Sequence, residues 1–341
     1  MIKYPSTTAY QDLMGRVAAP PAVSILLPLH PVLGARGELQ HRVKIALENV
    51  RHQLLKTYTS ERVGFVMEKL EGLRQQLHGD IRQKSVGLFA SALKSRLVFL
   101  ESTVEERIFI GESFAVRELV ADSKQLRNYL ILVLTDQECQ FYLAGGDRLE
   151  RLRTGTPADV FAYVNEKPER VANCSDAAAR REIVMDKFLH HIDEELSHIL
   201  ALHPLPVFVL GPERVIGHFK AQTRHLPQIA ACVYGSYAEA GEGELRELVR
   251  PCLALWQQHN RQMLLSLVKT AVDENKLSTG IDQAQADATR KNGRLLIVEN
   301  SFNANGLDEL IGGVVAQGGD VDFVDDGALR EYQRIALVRY Y

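Results

Sequence analysis

The sequence predicts a mixed α/β protein, α+β in its opening part, built as three domains and ending in an α/β/α sandwich. Two observations predict it. Apolar runs of strand length alternate with segments of helical period along the chain, the pattern of sheets covered by helices. The last 65 or so residues compress that alternation into helix, strand, helix, strand, short helix, strand. At 341 residues, 46% apolar and 24% charged, the chain has globular composition and enough length for two or three compact units. The boundaries fall at 1–124, 125–276 and 277–341.

In the first unit AVSILLPLH, Ala22 to His30, is a short apolar run closed by Pro28 and Pro31 and reads as a buried strand. From Glu38 to Leu77 apolar residues such as Val43, Leu47, Val50 and Leu54, then Val63, Val66, Leu70 and Leu73, recur at helical spacing. TYTSERV offers Thr59 or Ser60 as an N-cap that splits this stretch into two helices. SVGLFAS, RLVFLES and ERIFIGESF are three β-prone segments with tight connections.

The second unit opens on NYLILVLTDQECQFYLAGG, two apolar runs flanking Thr135, Asp136 and Gln137, which is a hairpin pattern that LERLRTG extends as a third strand. Thr154 to Asp176 is polar and aperiodic, and segments of that length inside compact proteins are functional or disordered. A helix over about 177–202, the strand LPVFVLG, the helix ERVIGHFKAQTRH, the strand CVYGSY and a long amphipathic helix from Gly243 to Asn275 complete it. The third unit is STGIDQAQADATRKNG as a capped helix, RLLIVEN as a strand, GLDELIGGVVAQGG as a glycine-closed helix, VDFV as a strand, DDGALREYQ as a short helix and RIALVRYY as the last strand. Its caps and terminators look locally complete, so Leu277 to Tyr341 is expected to fold alone.

The net charge of −3 gives the molecule no general cationic field, so any contact with RNA is local. Charge is unevenly placed: Ala35 to Lys84 carries ten Lys and Arg against six Asp and Glu, and Asn300 to Tyr341 three against seven. That asymmetry suits a first domain that touches phosphates and a last domain that meets protein. Absence of a signal-peptide pattern or a membrane-length apolar run leads to a cytoplasmic expectation with no membrane partner. Cys139, Cys174, Cys232 and Cys252 are scattered without CxxC spacing and read as bland thiols.

The order STGIDQA, LLIVEN, GGDVDFV and DDGALREYQRIALVRYY resembles the C-terminal domain of archaeo-eukaryotic class-1 peptide release factors and their Pelota relatives. LPVFVLGPERVIGHFKAQ and the hairpin NYLILVLTDQECQFYLAGG are similar to their middle domain, and VSILLPLH with the following helices to their N-terminal domain. The resemblance is nearest to the bacterial archaeo-eukaryotic release factor group. It implies a ribosome-associated protein with ribosome or tRNA as partner, a protein partner at the C-terminal domain, and no cofactor. Two departures from the family pattern limit what it implies. The family's Gly-Gly-Gln, which acts on the peptidyl-tRNA ester, is missing: Gly145-Gly146, Gly312-Gly313 and Gly318-Gly319 are followed by Asp, Val and Asp. The decoding motif Asn-Ile-Lys-Ser is replaced at its junction by Thr59-Ser60-Glu61-Arg62. The expected function is therefore termination or ribosome rescue without the usual ester hydrolysis.

Six basic residues surround the polar segment, Arg151, Arg153, Lys167, Arg170, Arg180 and Arg181, and form the candidate RNA-binding set. The catalytic residues are unknown. An alternative of a different class is a hydrolase or nuclease using Asp136 or Asp186 with Glu182, and a third is a scaffold that keeps only the fold. In HHIDEELSH, His191, Glu195 and His198 share a helical face at metal-ligand spacing, but the segment lacks HExxH order and a further ligand, so no metal is expected.

Overall fold

A computed structural model describes residues 10, 12–29, 35–77, 83–124, 128–145, 148–153 and 177–341, and for 35–38 and 177–182 the backbone alone. The fold is mixed α/β, with three sheets and eight α-helices among the described residues. Two compact units divide it: Leu126–Gln262 in one, and Thr7–Gln125 together with Met263–Tyr341 in the other.

In the discontinuous unit the first sheet has the order β3-β2-β1-β4 and is antiparallel throughout, with β1 Ala22–Pro28, β2 Ser85–Ala90, β3 Ser95–Leu100 and β4 Arg107–Gly111. β1 reads as a continuous apolar run because both of its faces are covered. Val23, Ile25 and Leu27 meet α1 Ala35–Leu54 and α2 Ser60–Gln75, whose Val43, Leu47, Val50, Val63, Val66 and Leu70 are buried. The expected break between those helices is present: Thr59 is the extended N-cap residue of α2, and its carbonyl accepts from Val63 N at 3.0 Å.

The second sheet of this unit has the order β10-β13-β11-β12, from β10 Leu277–Thr279, β11 Gly293–Glu299, β12 Asp320–Val324 and β13 Ile335–Arg339. β11 and β12 are parallel, and β13 runs antiparallel to β11 and β10. α7 Gly280–Thr289 and α8 Leu307–Ala316 cover one face; on the other, Val268 and Ala271, near the end of the long helix α6 Glu242–Asp273, join Leu295, Ile297, Ala336 and Val338. These are the layers of the expected α/β/α sandwich, one of them supplied by residues before 277.

The first and last parts share a core. Leu26, Phe89, Phe114, Leu119 and Val120 belong to the same buried cluster as Leu296, Leu310, Ile311, Val314 and Leu337. α3 Arg117–Lys124, which sequence reasoning did not find, is the polar side of that junction. Arg117 N donates to Asp308 Oδ1 at 2.9 Å and its Nε to the Phe302 carbonyl at 3.1 Å. Lys124 Nζ, on a side chain 4% exposed, stands 2.7 Å from Asp320 and 3.8 Å from Asp322.

Burial pushes the Asp322 carboxyl up to about 6; Lys124 opposes the rise and Asp320 adds to it. The native carboxyl therefore holds its proton more tightly than the unfolded one. Between about pH 4 and 6 the folded state binds more protons, so this group's contribution to stability falls as pH rises through that window. Asp322→Asn is expected to stabilise the protein at pH 7 by up to about 3 kcal/mol, at 1.36 kcal/mol per pKa unit, and to change little at pH 4. Urea unfolding at the two pH values checks it; equal effects at both would refute the charge argument.

One segment departs from the sequence expectation, and one glycine pair divides its roles. DDGALREYQ forms turns and a 3-10 turn over Arg330–Tyr332 in place of an α-helix, because Gly327, Gln333 and Arg334 take positive φ. Of the Gly318-Gly319 pair only Gly318 has positive φ, +84°. Gly319 is needed for close approach: a Cβ there would meet the Gly293 carbonyl oxygen at 2.6 Å.

The other unit holds a five-stranded sheet of order β7-β6-β5-β8-β9, from β5 Asn128–Leu134, β6 Cys139–Gly145, β7 Arg148–Arg151, β8 Val207–Gly211 and β9 Ile229–Tyr234. The hairpin β5-β6-β7 is antiparallel, and β5, β8 and β9 are parallel. The β5-β6 turn forms where Thr135 predicts it: Thr135 Oγ1 accepts from Gln137 N at 3.1 Å and Glu138 N at 2.8 Å. α4 Ala177–Leu202 and α5 Glu213–Gln222 cover one face through Phe188, Ile192, Leu196, Ile216 and Phe219. On the other face Leu245, Val249 and Trp256 of α6 pack against Ile131, Val133 and Phe208.

Candidate functional site

The C-terminal ends of parallel strands are where open α/β sheets place ligands, since connections leave there in divergent directions. In Leu126–Gln262 the ends of β5 and β8 lie side by side. Gly211, the last residue of β8, is packed so closely on β5 that a Cβ would meet the Leu134 carbonyl oxygen at 2.3 Å. The turn after β5 and the first turn of α5 are joined by an ion pair, Asp136 to Arg214 at 3.6 Å, both side chains largely exposed.

Arg151 closes β7 opposite Tyr142 of β6, and Arg153 follows it; both are exposed. Burial pushes the Cys139 thiol up to about 12, with Glu195 adding to the rise and the Arg151 cation opposing it. A thiol that high is no nucleophile at neutral pH. Arg180 and Arg181 fall on the opening turns of α4, where only the backbone is described, and Lys167 and Arg170 lie outside the described residues, as does the rest of the polar segment 154–176. Of the six candidates the structure thus describes two side chains, Arg151 at the end of the edge strand β7 and Arg153 just after it, both exposed.

The carboxylates of the hydrolase alternative have separate partners. Asp136 pairs with Arg214 at the start of α5, whereas Asp186 accepts from Gln222 Nε2 at 2.6 Å at its end. A ten-residue helix, about 15 Å long, stands between those contacts. Glu182 lies on the opening turns of α4, backbone only. In HHIDEELSH, His190 and His191 approach Glu194 at 3.5 and 3.3 Å. Among the described residues no group of three or more His, Cys, Asp and Glu is placed to hold a metal ion.

Among the described residues of this unit the buried charge is Asp193, 2% exposed. Its carboxylate accepts from Thr223 Oγ1 at 2.5 Å, Arg224 Nε at 2.9 Å and Arg224 N at 3.2 Å. Burial pushes its pKa up, but those hydrogen bonds outweigh burial and hold it below the usual carboxylate range. One turn on, Ser197 Oγ stands 2.6 Å from His225 Nε2 and 2.8 Å from the Asp193 carbonyl. The network staples α4 to the connection between α5 and β9. Its signal in the sequence is an acid at a position of the apolar stripe Leu189, Ile192, Leu196, Leu200 where helical spacing calls for a hydrophobe. Asp193→Ala is expected to destabilise the protein by about 1–2 kcal/mol, since it removes the hydrogen bonds to Thr223 and Arg224 while those partly exposed donors can turn to water. Chemical denaturation at pH 7 reads the loss. A depressed pKa means that this support is present above about pH 4 and disappears as pH falls through the native value, so wild type and variant converge in acid.

Residues 128–292, from the first residue of β5 through α7, match the model of bacterial archaeo-eukaryotic release factor family 3. That stretch, a little under half of the chain, is thus similar to the bacterial archaeo-eukaryotic release factors. The chain's likeness to solved structures is remote. A model of ribosome-bound archaeal Pelota and ABCE1 is 13% identical, with 73% of this chain and 72% of that chain covered and a TM-score of 0.47. Dom34 of S. cerevisiae, described as a translation termination-like factor involved in RNA quality control pathways and interacting with Hbs1, is 11% identical, with 99% and 94% covered and a TM-score of 0.45. Archaeal translation termination factor aRF1 is 14% identical, with 98% and 96% covered and a TM-score of 0.26. Comparison with curated proteins finds no match.

None of the glycine pairs in this chain continues to Gln. Gly312 and Gly313 are inside α8, Gly318 and Gly319 form the turn into β12, and Gly145 ends β6. No helix among the described residues is long and apolar enough to cross a membrane.

Proposed function

We propose that this protein is a ribosome-associated, release-factor-like factor of translation termination or ribosome rescue that works without Gly-Gly-Gln ester hydrolysis. The match of residues 128–292 to a release-factor family carries the reading. In it, residues 1–124 and 125–276 face RNA and 277–341 meets protein, with Arg151, Arg153, Lys167, Arg170, Arg180 and Arg181 as phosphate contacts in a cytoplasmic setting. Exposed arginines at the end of an edge strand suit that role, since phosphate recognition asks for charge and reach more than for a closed pocket.

Ribosome co-sedimentation tests the proposal. The purified chain is expected to pellet with ribosomes at low salt and to release no peptide from stop-programmed ribosomes carrying peptidyl-tRNA. A chain left in the supernatant at every salt concentration would overturn the ribosomal reading; efficient stop-dependent release would overturn the claim about chemistry.

A further inference from the structure

β4 is the last strand of its sheet. It pairs with β1 on one side, and among the described residues no strand pairs with its other side. Its sequence, RIFIG, has no proline or lysine to blunt such an edge. Beside it lies a cavity of about 510 Å³ whose far wall is the loop 303–306 and the first turn of α8. Both walls are fixed: β4 by its ladder to β1, and the loop by Arg117, which holds the carbonyls of Asn300 and Phe302 just before it.

The accessible polar groups of the groove suit a peptide backbone. Arg107 Nη1 is not among them: it is fully buried, with Glu118 3.6 Å away. Asn303 and Asn305 are exposed on the rim. Side-chain amides both donate and accept, as a peptide group requires. The charge of the wall is complementary to a cation. Arg107 is matched by Asp308 and Glu118, and Glu112 by Arg16, which leaves Glu309, half-buried, without a counter-ion among the described residues. Carboxylates on this wall repel phosphate, so nucleic acid is the poorer fit.

We propose that the groove between β4 and the loop before α8 takes an extended basic segment of a protein partner, which adds to the edge of the first sheet and sets an arginine or lysine against Glu309. Main-chain hydrogen bonds along β4 provide affinity, and the alternate side chains of the added strand, those that point into the cavity, provide selection. This inference does not rest on the ribosomal reading, and its test uses no ribosome.

The probe is a fluorescent, terminally blocked Val-Arg-Val-Arg-Val-Arg peptide, followed by anisotropy on the full chain, with amide exchange reporting where it lands. Saturable binding is expected, with slowed exchange over Ile108–Gly111. The same peptide N-methylated at alternate residues, which keeps the charge and loses the ladder, is expected to bind at least tenfold more weakly, and so is the Val-Glu peptide. Glu309→Lys is expected to cost the Arg peptide at least tenfold, and the milder Glu309→Gln and Asn305→Ala a smaller factor each. Equal binding of the N-methylated peptide, protection outside β4, indifference to every one of the three substitutions, or displacement by single-stranded RNA would each overturn the proposal.

Discussion

Expressed alone, Leu277 to Tyr341 is expected to be molten or insoluble, without a cooperative unfolding transition. The sheet β10-β13-β11-β12 has α7 and α8 on one face, yet those helices bury Ala284, Leu310, Ile311 and Val314 in a cluster completed by Leu26, Phe89, Phe114 and Leu119. Its other face is closed by Val268 and Ala271 of α6. Cutting at 277 removes both covers. Full burial of a large apolar side chain is worth roughly 1.5–3 kcal/mol, so leaving five of them half exposed costs about 4–7 kcal/mol. A chain of this length rarely has more than about 3–5 kcal/mol to lose. Joining Thr7–Gln125 to Met263–Tyr341 through a flexible linker restores both covers of that sheet and is expected to restore a cooperative transition. Sharp two-state unfolding of the short fragment, with native-like dispersion of its amide signals, would show that the shared cluster is dispensable.

Much of this architecture is legible in the sequence because burial on two faces writes itself as an unbroken apolar run. β1, β5 and β8 are such runs, and each is a strand. Thr59 and Thr135 are legible for a local reason, since a cap and a turn are satisfied by neighbours in the chain. What the sequence conceals is long-range. α3 is eight residues of which Leu119 and Val120 are buried, too little for a periodic signal, and its value lies in contacts with residues nearly 200 positions away. β10 is three residues long and exists through its pairing with β13. An apolar stripe says that α8 is covered, but not that Phe89 and Phe114 help to cover it.

The candidate site divides in the same way. Arg151 and Arg153 are singled out by their place beside the polar segment, and the structure leaves both exposed. Asp193 was overlooked, although it sits in the segment that drew attention for its histidines. Its partners Thr223 and Arg224 come from another element thirty residues on, and only the fold brings them within hydrogen-bond reach. Its hydrogen bonds go to the scaffold, which fixes α4 beneath the arginines that open it.

The other large effect is expected from the arginines themselves. Replacing Arg151, Arg153, Arg170, Arg180 and Arg181 by alanine should weaken ribosome binding on the order of 100-fold at physiological salt, and should flatten its salt dependence. Each phosphate neutralised on a single strand contributes about 0.7 to the slope of log affinity against log salt, so five contacts account for a change of roughly 3 to 4. Arg151→Ala with Arg153→Ala, confined to exposed side chains whose loss leaves the fold intact, should lower the slope by about 1 to 1.5. A binding isotherm for ribosomes at several salt concentrations separates the outcomes. Lost affinity with a shallower slope identifies phosphate contacts. Lost affinity with an unchanged slope would mean that the arginines act through shape or through protein, and unchanged affinity with unchanged slope would remove this surface from the RNA interface and favour a scaffold that keeps the release-factor fold without its ribosomal site.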